Sequence, residues 1–203
     1  MDERYISQGM QALADCDPDV ATALQAMGPP PPRIRPAGFE TFLATIVSQQ
    51  LSTHAARAIM GRVVALLPER SAAALLEVDD EVLRGAGLSY RKVEYAKGLA
   101  RAVTESRFDI AGLAAMTDAE AVAAITALRG FGRWSAEIYL MFSLGRRDIF
   151  PADDLALQVA LGRLKQLEKR PTPKQARELV AHWAPWRSVG SLFLWHFYQG
   201  APN

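Results

Sequence analysis

A short turn between two helical segments constrains the fold of this chain more than any other feature of its sequence. The first segment ends near Thr126, and Gly130-Phe131-Gly132 follows almost at once. In the second segment Trp134, Ile138 and Met141-Phe142 recur at helical spacing. Glycine adopts positive φ angles at no steric cost, so these residues predict a tight hairpin between two helices. Unpaired backbone N–H groups at such a turn form a seat for a phosphate oxygen.

A proline and two aspartates end the same stretch of sequence. Pro151 stops the preceding segment, and Asp153 and Asp154 open a new helix. Asp153 is predicted to be the N-cap of that helix and therefore to have a structural role. From spacing alone, Asp154 can be a solvated first-turn residue favoured by the helix dipole, and the whole stretch can be an ordinary helical hairpin.

Size and composition exclude several classes of protein. With 203 residues, half of them hydrophobic, the chain can bury one sizeable core or two small lobes that share a cleft. Its 23 Lys and Arg residues nearly balance 22 Asp and Glu residues, so the net charge of +1 neither favours nor disfavours a nucleic-acid partner. The single cysteine, Cys16, excludes a disulfide framework and a four-cysteine iron–sulfur cluster. No signal peptide or membrane-spanning run is recognised, which predicts a cytoplasmic protein without a membrane partner.

The rest of the chain reads as helices, so the predicted fold class is all-α, with about ten helices and no sheet. Residues 5–27 are expected to form one helix that Pro18 interrupts, and the Pro-rich run at residues 28–32 is expected to be a stiff linker. Helix starts are predicted from their capping residues. These are Ser52 or Thr53, Ser71, Asp79, Ser89, Thr117 with Glu120, and Thr172 with Pro173.

The hairpin followed by Pro-Ala-Asp-Asp resembles the helix-hairpin-helix Gly/Pro-Asp superfamily of DNA glycosylases, and within it the 3-methyladenine DNA glycosylase II group. The resemblance covers roughly residues 37–199. Three further blocks support it: Ile46-Val47-Ser48-Gln49-Gln50-Leu51-Ser52, Gly87-Leu88-Ser89 with Lys92, and Pro185-Trp186-Arg187-Ser188.

The resemblance implies a single glycosylase unit over residues 1–203, made of two helical lobes around a cleft. Residues of about 39–152 would form the hairpin-bearing lobe, and residues 1–38 would pack with 155–203. Larger relatives carry an N-terminal β-rich domain for which 203 residues leave no room, so the short form is expected. The implied activity is the excision of alkylated purines from double-stranded DNA by base flipping and hydrolysis, in base excision repair. We expect a nucleoid-associated monomer that requires no cofactor.

By its place after the hairpin and Pro151, Asp154 matches the catalytic aspartate of the family. Cleavage of an N-glycosidic bond develops positive charge on the deoxyribose, which a nearby carboxylate stabilises while it orients or deprotonates the attacking water. An alkylated purine is already cationic and leaves without strong acid assistance. Bifunctional members of the superfamily place a nucleophilic lysine where this chain has Trp134, and an indole cannot form a Schiff base.

The resemblance also implies a base pocket formed by Trp134, Trp195, Ile138 and His196. An indole can stack on a cationic base, a contact of about 1–2 kcal/mol. Ile138 stands where the family has Tyr, which makes the pocket less aromatic. The alternative for both tryptophans is a place in the core, and for His196 a core or surface position. Leu51 or Gln50 would be the wedge that fills the gap left by the flipped base, and the alternative for Leu51 is a buried corner residue.

At the hairpin, the N–H groups of Gly130, Gly132 and Trp134 would bind DNA phosphate, together with Arg133. Relatives hold a monovalent cation, Na⁺ or K⁺, on backbone carbonyls that correspond to Thr126, Leu128 and Phe131. Arg129 replaces the usual proline of the motif. Further basic residues lie nearby in the sequence, each of them either a phosphate contact or part of a solvated face: Arg146, Arg147, Arg163 and Lys165.

Two other functions remain open from the sequence. A helix-hairpin-helix DNA-binding module without catalysis needs the glycine turn but has no use for Asp154 or the tryptophans. A bifunctional glycosylase and lyase is disfavoured because Trp134 offers no amine.

Overall fold

A computed structural model of the chain describes residues 1–200. Within these residues there are twelve α-helices, two short 3-10 helices at Gly112–Ala114 and Ala181–Trp183, and no strand, which confirms the all-α fold class. The α-helices are α1 Glu3–Cys16, α2 Pro18–Met27, α3 Phe39–Ser48, α4 Thr53–Ala65, α5 Ala72–Glu77, α6 Asp80–Gly85, α7 Tyr90–Thr104, α8 Asp118–Thr126, α9 Arg133–Phe142, α10 Leu155–Leu164, α11 Pro173–Leu179 and α12 Arg187–Gly200. None of these helices is both long and apolar enough to cross a lipid bilayer.

The predicted helix starts agree with the structure except at one position. Ser52, Ser71 and Ser89 each accept a hydrogen bond from the third residue of the helix that follows. Thr117 and Thr172 both form complete capping boxes, with Glu120 and Gln175 respectively. Asp79 is the N-cap of α6 but makes no capping hydrogen bond through its side chain.

The exception is the start of α10, where the prediction that Asp153 is the N-cap is wrong. Asp154 is the N-cap, and its Oδ1 accepts the N–H of Leu157 at 3.0 Å. The turn before α10 sets this register, because the N–H of Asp154 donates to the carbonyl of Pro151 at 2.9 Å. Asp153 forms an ion pair with Arg177 instead.

The chain divides into two compact units, and the boundary falls within α9. Unit 1 contains residues 1–35 and the chain from Glu137 onwards, and unit 2 contains Pro36–Ala136. In unit 1, α1, α2, α10 and α12 pack around side chains with no exposed surface, such as Leu13, Leu161 and Phe193. In unit 2, α3 packs on α4 and α7, and α5 packs on α7. Phe42 lies in its core and meets Phe108 and Phe131 edge to face, at 5.4 and 5.5 Å between ring centroids.

The sequence-based lobe boundary at residue 152 differs from this division, because residues 137–152 cluster with unit 1. Hydrogen bonds to the start of α12 explain the difference. The Ser188 hydroxyl donates to the carbonyl of Arg146 at 2.7 Å and accepts the N–H of Ile149 at 2.9 Å. Arg187 donates to both carboxylate oxygens of Asp148, at 2.7 and 2.6 Å.

Candidate active site

The Asp154 carboxylate is fixed by two N–H donors at the start of α10. Its Oδ1 accepts the backbone N–H of Leu157 at 3.0 Å and the indole N–H of Trp195 at 3.3 Å. The side chain is neither fully buried nor fully exposed. A carboxylate that two donors hold in one orientation beside solvent is suited to stabilise positive charge on a bound substrate.

Trp195 is tied to its surroundings in unit 1 through both its N–H and its ring. Its ring lies 5.9 Å from that of Phe142, centroid to centroid, and the Arg33 guanidinium lies 4.5 Å from the Phe142 centroid and 5.9 Å from the Trp195 centroid. Trp195 is partly exposed, so it is not a closed-core tryptophan. The neighbouring His196, also partly exposed, contacts the carbonyl of Met27 through Nε2 at 3.4 Å.

The block Pro185-Trp186-Arg187-Ser188 positions the chain that leads to Asp154. Arg187 and Ser188 hold residues 146–149, and Pro151 to Asp154 follow directly. The Arg187 guanidinium keeps the pKa of the Asp148 carboxyl below its usual range, so this pair is ionised at neutral pH. Sequence reasoning noticed this block as part of the resemblance but did not assign it a contact. The contact could not be found from the sequence, because Asp148 and Arg187 are 39 residues apart.

In unit 2, Gly130 is the glycine on which the hairpin depends. Its φ is +92°, and a Cβ added to it would lie 2.5 Å from the ring of Tyr95. The Gln49 amide donates to the Gly130 carbonyl at 2.7 Å, so the corner after α3 is bonded to the hairpin. The sequence did not predict that Gln49 and Tyr95 contact the hairpin at Gly130.

Gly132 differs from Gly130, and the expectation that both glycines serve the reversal is wrong. Gly132 does not have a positive φ, and apart from Gly132 and its two chain neighbours no residue has an atom within 4 Å of the position that a Cβ would take. The fold therefore does not require glycine there. Close approach of an external group explains the residue better, because a missing side chain lets a ligand reach the backbone N–H groups.

The first turn of α9 presents Trp134 to solvent. Trp134 is 43% exposed, which excludes the core alternative for this residue. The adjacent Arg133 is exposed as well. Ile138, one turn further along, is 7% exposed and packs in the interior of unit 1.

The corner between α3 and α4 carries Gln50 and Leu51 on the surface of unit 2. Gln50 has a φ of +56°, and Leu51 is 39% exposed, so the alternative of a buried corner leucine is wrong. Lys92 supports this corner, since its ammonium donates to the Val47 carbonyl at the end of α3 at 2.8 Å. Burial lowers the pKa of Lys92. The corner, the Gly87–Lys92 block and the hairpin are thus connected by hydrogen bonds and contacts within one unit.

Several of the nearby basic residues contact other parts of the protein. Arg129 forms an ion pair with Glu94 on α7. Lys165 donates to Asp17 and Asp19, so its charge is used inside unit 1. The Arg147 guanidinium lies 4.9 Å from the centroid of the Tyr5 ring, while Arg163 is exposed and lies 5.7 Å from that of Tyr198.

The residues expected to hold a monovalent cation surround the hairpin turn. Carbonyl oxygens are suitable ligands for Na⁺ and K⁺. The hydroxyl of Thr126 donates to the carbonyls of Val122 and Ala123, at 2.8 and 3.2 Å, and so points away from the turn. The Leu128 carbonyl accepts the N–H of Phe131 at 3.2 Å, which still leaves it one lone pair. The Leu128 carbonyl is thus able to accept a further ligand. No cluster of His, Cys, Asp and Glu within residues 1–200 fits a metal ion.

Comparisons of the sequence and of the structure with known proteins agree on one family. The family model of the HhH-GPD superfamily of base excision DNA repair proteins matches residues 43–185. The DNA-3-methyladenine glycosylase 1 of Schizosaccharomyces pombe is 31% identical over 165 residues, which cover 77% of this chain and 71% of that protein. The structure of a DNA-3-methyladenine glycosidase from Bacillus halodurans superposes with a TM-score of 0.82 at 33% identity, covering 93% of this chain and 87% of the other. The structure of the S. pombe 3-methyladenine DNA glycosylase Mag1 in complex with abasic DNA gives a TM-score of 0.81 at 27% identity, covering 96% and 98%.

Proposed function

This chain belongs to the HhH-GPD superfamily of base excision DNA repair proteins, and we propose that it is a monofunctional DNA glycosylase that removes alkylated purines from double-stranded DNA. The observation that carries the proposal is the Asp154 carboxylate, held by the N–H groups of Leu157 and Trp195 at the start of α10. A DNA-binding module without catalysis needs the N-cap of α10 but has no need for the second donor, the indole N–H of Trp195.

Asp154 acts on the charge of the transition state. As the bond between the alkylated base and C1′ lengthens, the deoxyribose becomes oxocarbenium-like and the neutral base departs with the bonding electrons. The carboxylate stabilises the cationic sugar and accepts a proton from the attacking water as its oxygen bonds to C1′. The Trp195 N–H keeps the carboxylate from rotating away.

Hydrolysis leaves an abasic site in an intact strand. A lyase reaction requires an amine that attacks C1′ and forms a Schiff base, and the corresponding residue of this chain is Trp134. The exposed indole of Trp134 instead offers a surface on which an electron-poor, alkylated base stacks. We assign Trp195, Ile138 and His196 to the same base-binding role, in which Ile138 contributes apolar contact only.

The hairpin of unit 2 binds the DNA backbone. The N–H groups of Gly130, Gly132 and Trp134 donate to a phosphate, Arg133 adds positive charge, and the open space at Gly132 allows the phosphate to approach. A monovalent cation on the carbonyls of Thr126, Leu128 and Phe131 would add positive charge at the same turn. Leu51, or Gln50 beside it, fills the gap that the flipped base leaves in the duplex. The protein acts on DNA as a monomer, in the cytoplasm at the nucleoid.

A base-release assay tests this function. Purified protein is incubated with duplexes that contain 3-methyladenine, 7-methylguanine, 1-methyladenine or hypoxanthine, and free base and strand breaks are measured separately. Release of at least one alkylated base without strand breakage in the absence of alkali is expected. Duplex binding without release of any base would favour the non-catalytic module, and a covalent adduct trapped by borohydride would favour the lyase.

A further inference from the structure

The segment between α2 and α3 carries two arginines whose backbone is held by hydrogen bonds within unit 1. The N–H of Arg33 donates to the Met1 carbonyl at 3.3 Å, and the terminal ammonium of Met1 donates to the Arg33 carbonyl at 2.8 Å. The N–H of Arg35 donates to the carbonyl of Phe142 at 2.9 Å. The charge of Arg35 contributes to lowering the pKa of Arg33, so the two guanidinium groups lie close enough to repel each other.

The Arg33 guanidinium is held against aromatic rings. It lies 4.5 Å from the centroid of Phe142 and 5.9 Å from that of Trp195, the residue that donates to Asp154. A guanidinium that stacks on an aromatic ring keeps its N–H groups in the plane of the guanidinium, where they can donate to an anion. Stacking thus orients Arg33 without using its hydrogen-bond donors.

Within residues 1–200, neither Arg33 nor Arg35 has a carboxylate within the 4.0 Å of an ion pair. Other arginines of unit 1 are neutralised, as Arg187 is by Asp148 and Arg177 by Asp153. Burial lowers the pKa of Arg33, with a smaller effect from the charge of Arg35, and burial also lowers the pKa of Arg35. Two neighbouring cations without a counter-ion repel each other, and an anion from outside the protein would relieve that repulsion.

We propose that Arg33 and Arg35 form a second phosphate subsite, which binds the DNA backbone through unit 1 independently of the hairpin in unit 2. This inference rests on the proposed function, because a duplex supplies the phosphodiester anion. The DNA phosphates would also be repelled by the carboxylate of Asp154, and two cations on the same unit offset that repulsion.

The salt dependence of binding to undamaged duplex tests the subsite. Each phosphate contact contributes about 0.9 to the slope of log K against log salt concentration, so R33Q/R35Q is expected to reduce the slope by about 1.8. R33K/R35K keeps both charges and is expected to retain most of the slope while losing the planar fork. Arg84→Gln is the matched control, since Arg84 also stacks on a ring, that of Tyr90 at 3.6 Å, but is paired with Glu81. Its slope is expected to equal that of the wild type.

The outcomes separate the subsite from the proposed function. An unchanged slope in R33Q/R35Q overturns the subsite, as does a loss confined to the excision rate at saturating DNA. Failure of the wild type to release any base overturns the proposed function and leaves the slope measurement valid. If R33Q/R35Q does not fold by circular dichroism, Arg35→Gln is measured alone, because within residues 1–200 the Arg35 side chain stacks on no aromatic ring. A decrease of about 0.9 in the salt-dependence slope supports the subsite, and an unchanged slope overturns it.

Discussion

Asp154 combines a structural and a chemical task, and one substitution separates them. Asparagine caps helices as well as aspartate does, so Asp154→Asn preserves the start of α10 but removes the negative charge. Since preorganised electrostatic groups contribute about 2.7–4 kcal/mol, base excision is expected to fall by about 100-fold or more. DNA affinity should change by no more than a few-fold, because the charge acts in the transition state. Single-turnover rates on alkylated duplex and equilibrium binding measure the two effects.

Asp153 provides the control for this prediction. Its carboxylate is next in the sequence, but it is exposed and pairs with Arg177 at 3.4 Å. Asp153→Asn is therefore expected to retain the excision rate within a few-fold. If Asp154→Asn keeps more than about a tenth of the wild-type rate, the carboxylate does not carry the chemistry.

Leu51 is expected to matter for damaged duplex and not for folding. Because its side chain is 39% exposed, Leu51→Ala should change the free energy of unfolding by about 0.5 kcal/mol or less. Excision from duplex should fall, while excision from single-stranded or mismatched substrate, which needs little unstacking, should fall less. Denaturant midpoints and excision rates on both substrates are the measurements.

Val82→Ala is the matched control, because Val82 is another exposed aliphatic residue of unit 2, at 45% exposure. It should leave stability and both excision rates unchanged. Equal losses on duplex and single-stranded DNA in Leu51→Ala would assign the wedge to Gln50 or to another residue of the corner.

For single residues, the sequence predicted which residues belong to the site better than it predicted what they contact. The exposure of Trp134 and Leu51 agrees with the roles that the resemblance implies, although exposure alone does not establish either role. The cap was assigned to the wrong aspartate because both carboxylates suit an N-cap, and only the turn from Pro151 to Asp154 selects between them. Arg33 could not be singled out, since Phe142 and Trp195 are distant in sequence and nothing local predicts that they meet it.

At the scale of the element, the two hairpin glycines are expected to respond in opposite ways to alanine. Gly130→Ala should destabilise the protein by at least about 1–2 kcal/mol, because a left-handed backbone and the Tyr95 ring both oppose a Cβ. Gly132→Ala should leave stability nearly unchanged but weaken binding to any duplex, damaged or not, because the methyl group occupies the space of the phosphate. Thermal unfolding and duplex affinity distinguish the two effects.

Gly98→Ala serves as the control for the hairpin variants, since a Cβ at this position in α7 also meets no atom within 4 Å beyond its chain neighbours and the adjacent backbone of its own helix. Gly98→Ala should lower neither the thermal stability nor the affinity for duplex DNA. Unchanged duplex affinity in a folded Gly132→Ala protein would mean that the hairpin is not the DNA anchor.

Helix starts could be predicted well from the sequence because capping is local: Ser52, Ser89 and Thr117 each accept a bond from the helix that they begin. The role of each hairpin glycine could not, because it depends on Tyr95 and on the bond from Gln49 to the Gly130 carbonyl. Those contacts join segments that are far apart in the chain. Pattern alone therefore located the hairpin but did not show which glycine the fold requires.

At the scale of the whole molecule, unit 1 is built from two distant parts of the chain that meet at Asp17. The Asp17 side chain has no exposed surface, and it accepts hydrogen bonds from Lys165 at 2.6 Å, Trp183 at 2.7 Å and His182 at 3.0 Å. It also caps α2. Sequence reasoning found the interruption at Pro18 but not this contact, since Lys165 and Trp183 follow well over a hundred residues later.

These partners predict how the stability of the protein depends on pH. Burial opposes ionisation of Asp17, but the hydrogen bonds from Lys165, Trp183 and His182 outweigh it and lower the pKa from 3.8 to about 2. Because the folded-state pKa is depressed, the stabilisation is fully present above about pH 4 and is lost as the pH falls towards 2. A shift of this size corresponds to about 2 kcal/mol. Denaturant midpoints measured between pH 7 and pH 2 should therefore fall most steeply below pH 4.

Asp17→Asn tests the assignment of this effect to one group. Replacing the carboxylate leaves the Lys165 ammonium with the more exposed Asp19 as its remaining partner, so the expected cost at pH 7 is about 3 kcal/mol or less. The variant should also lose part of the acid dependence below pH 4, because the group that titrates there is gone. Asp15→Asn removes an exposed carboxylate from the end of α1 and should keep the wild-type profile. An Asp17→Asn protein with the full wild-type acid dependence would show that other carboxylates set the acid stability, and that Asp17 joins the two parts of unit 1 without controlling their response to pH.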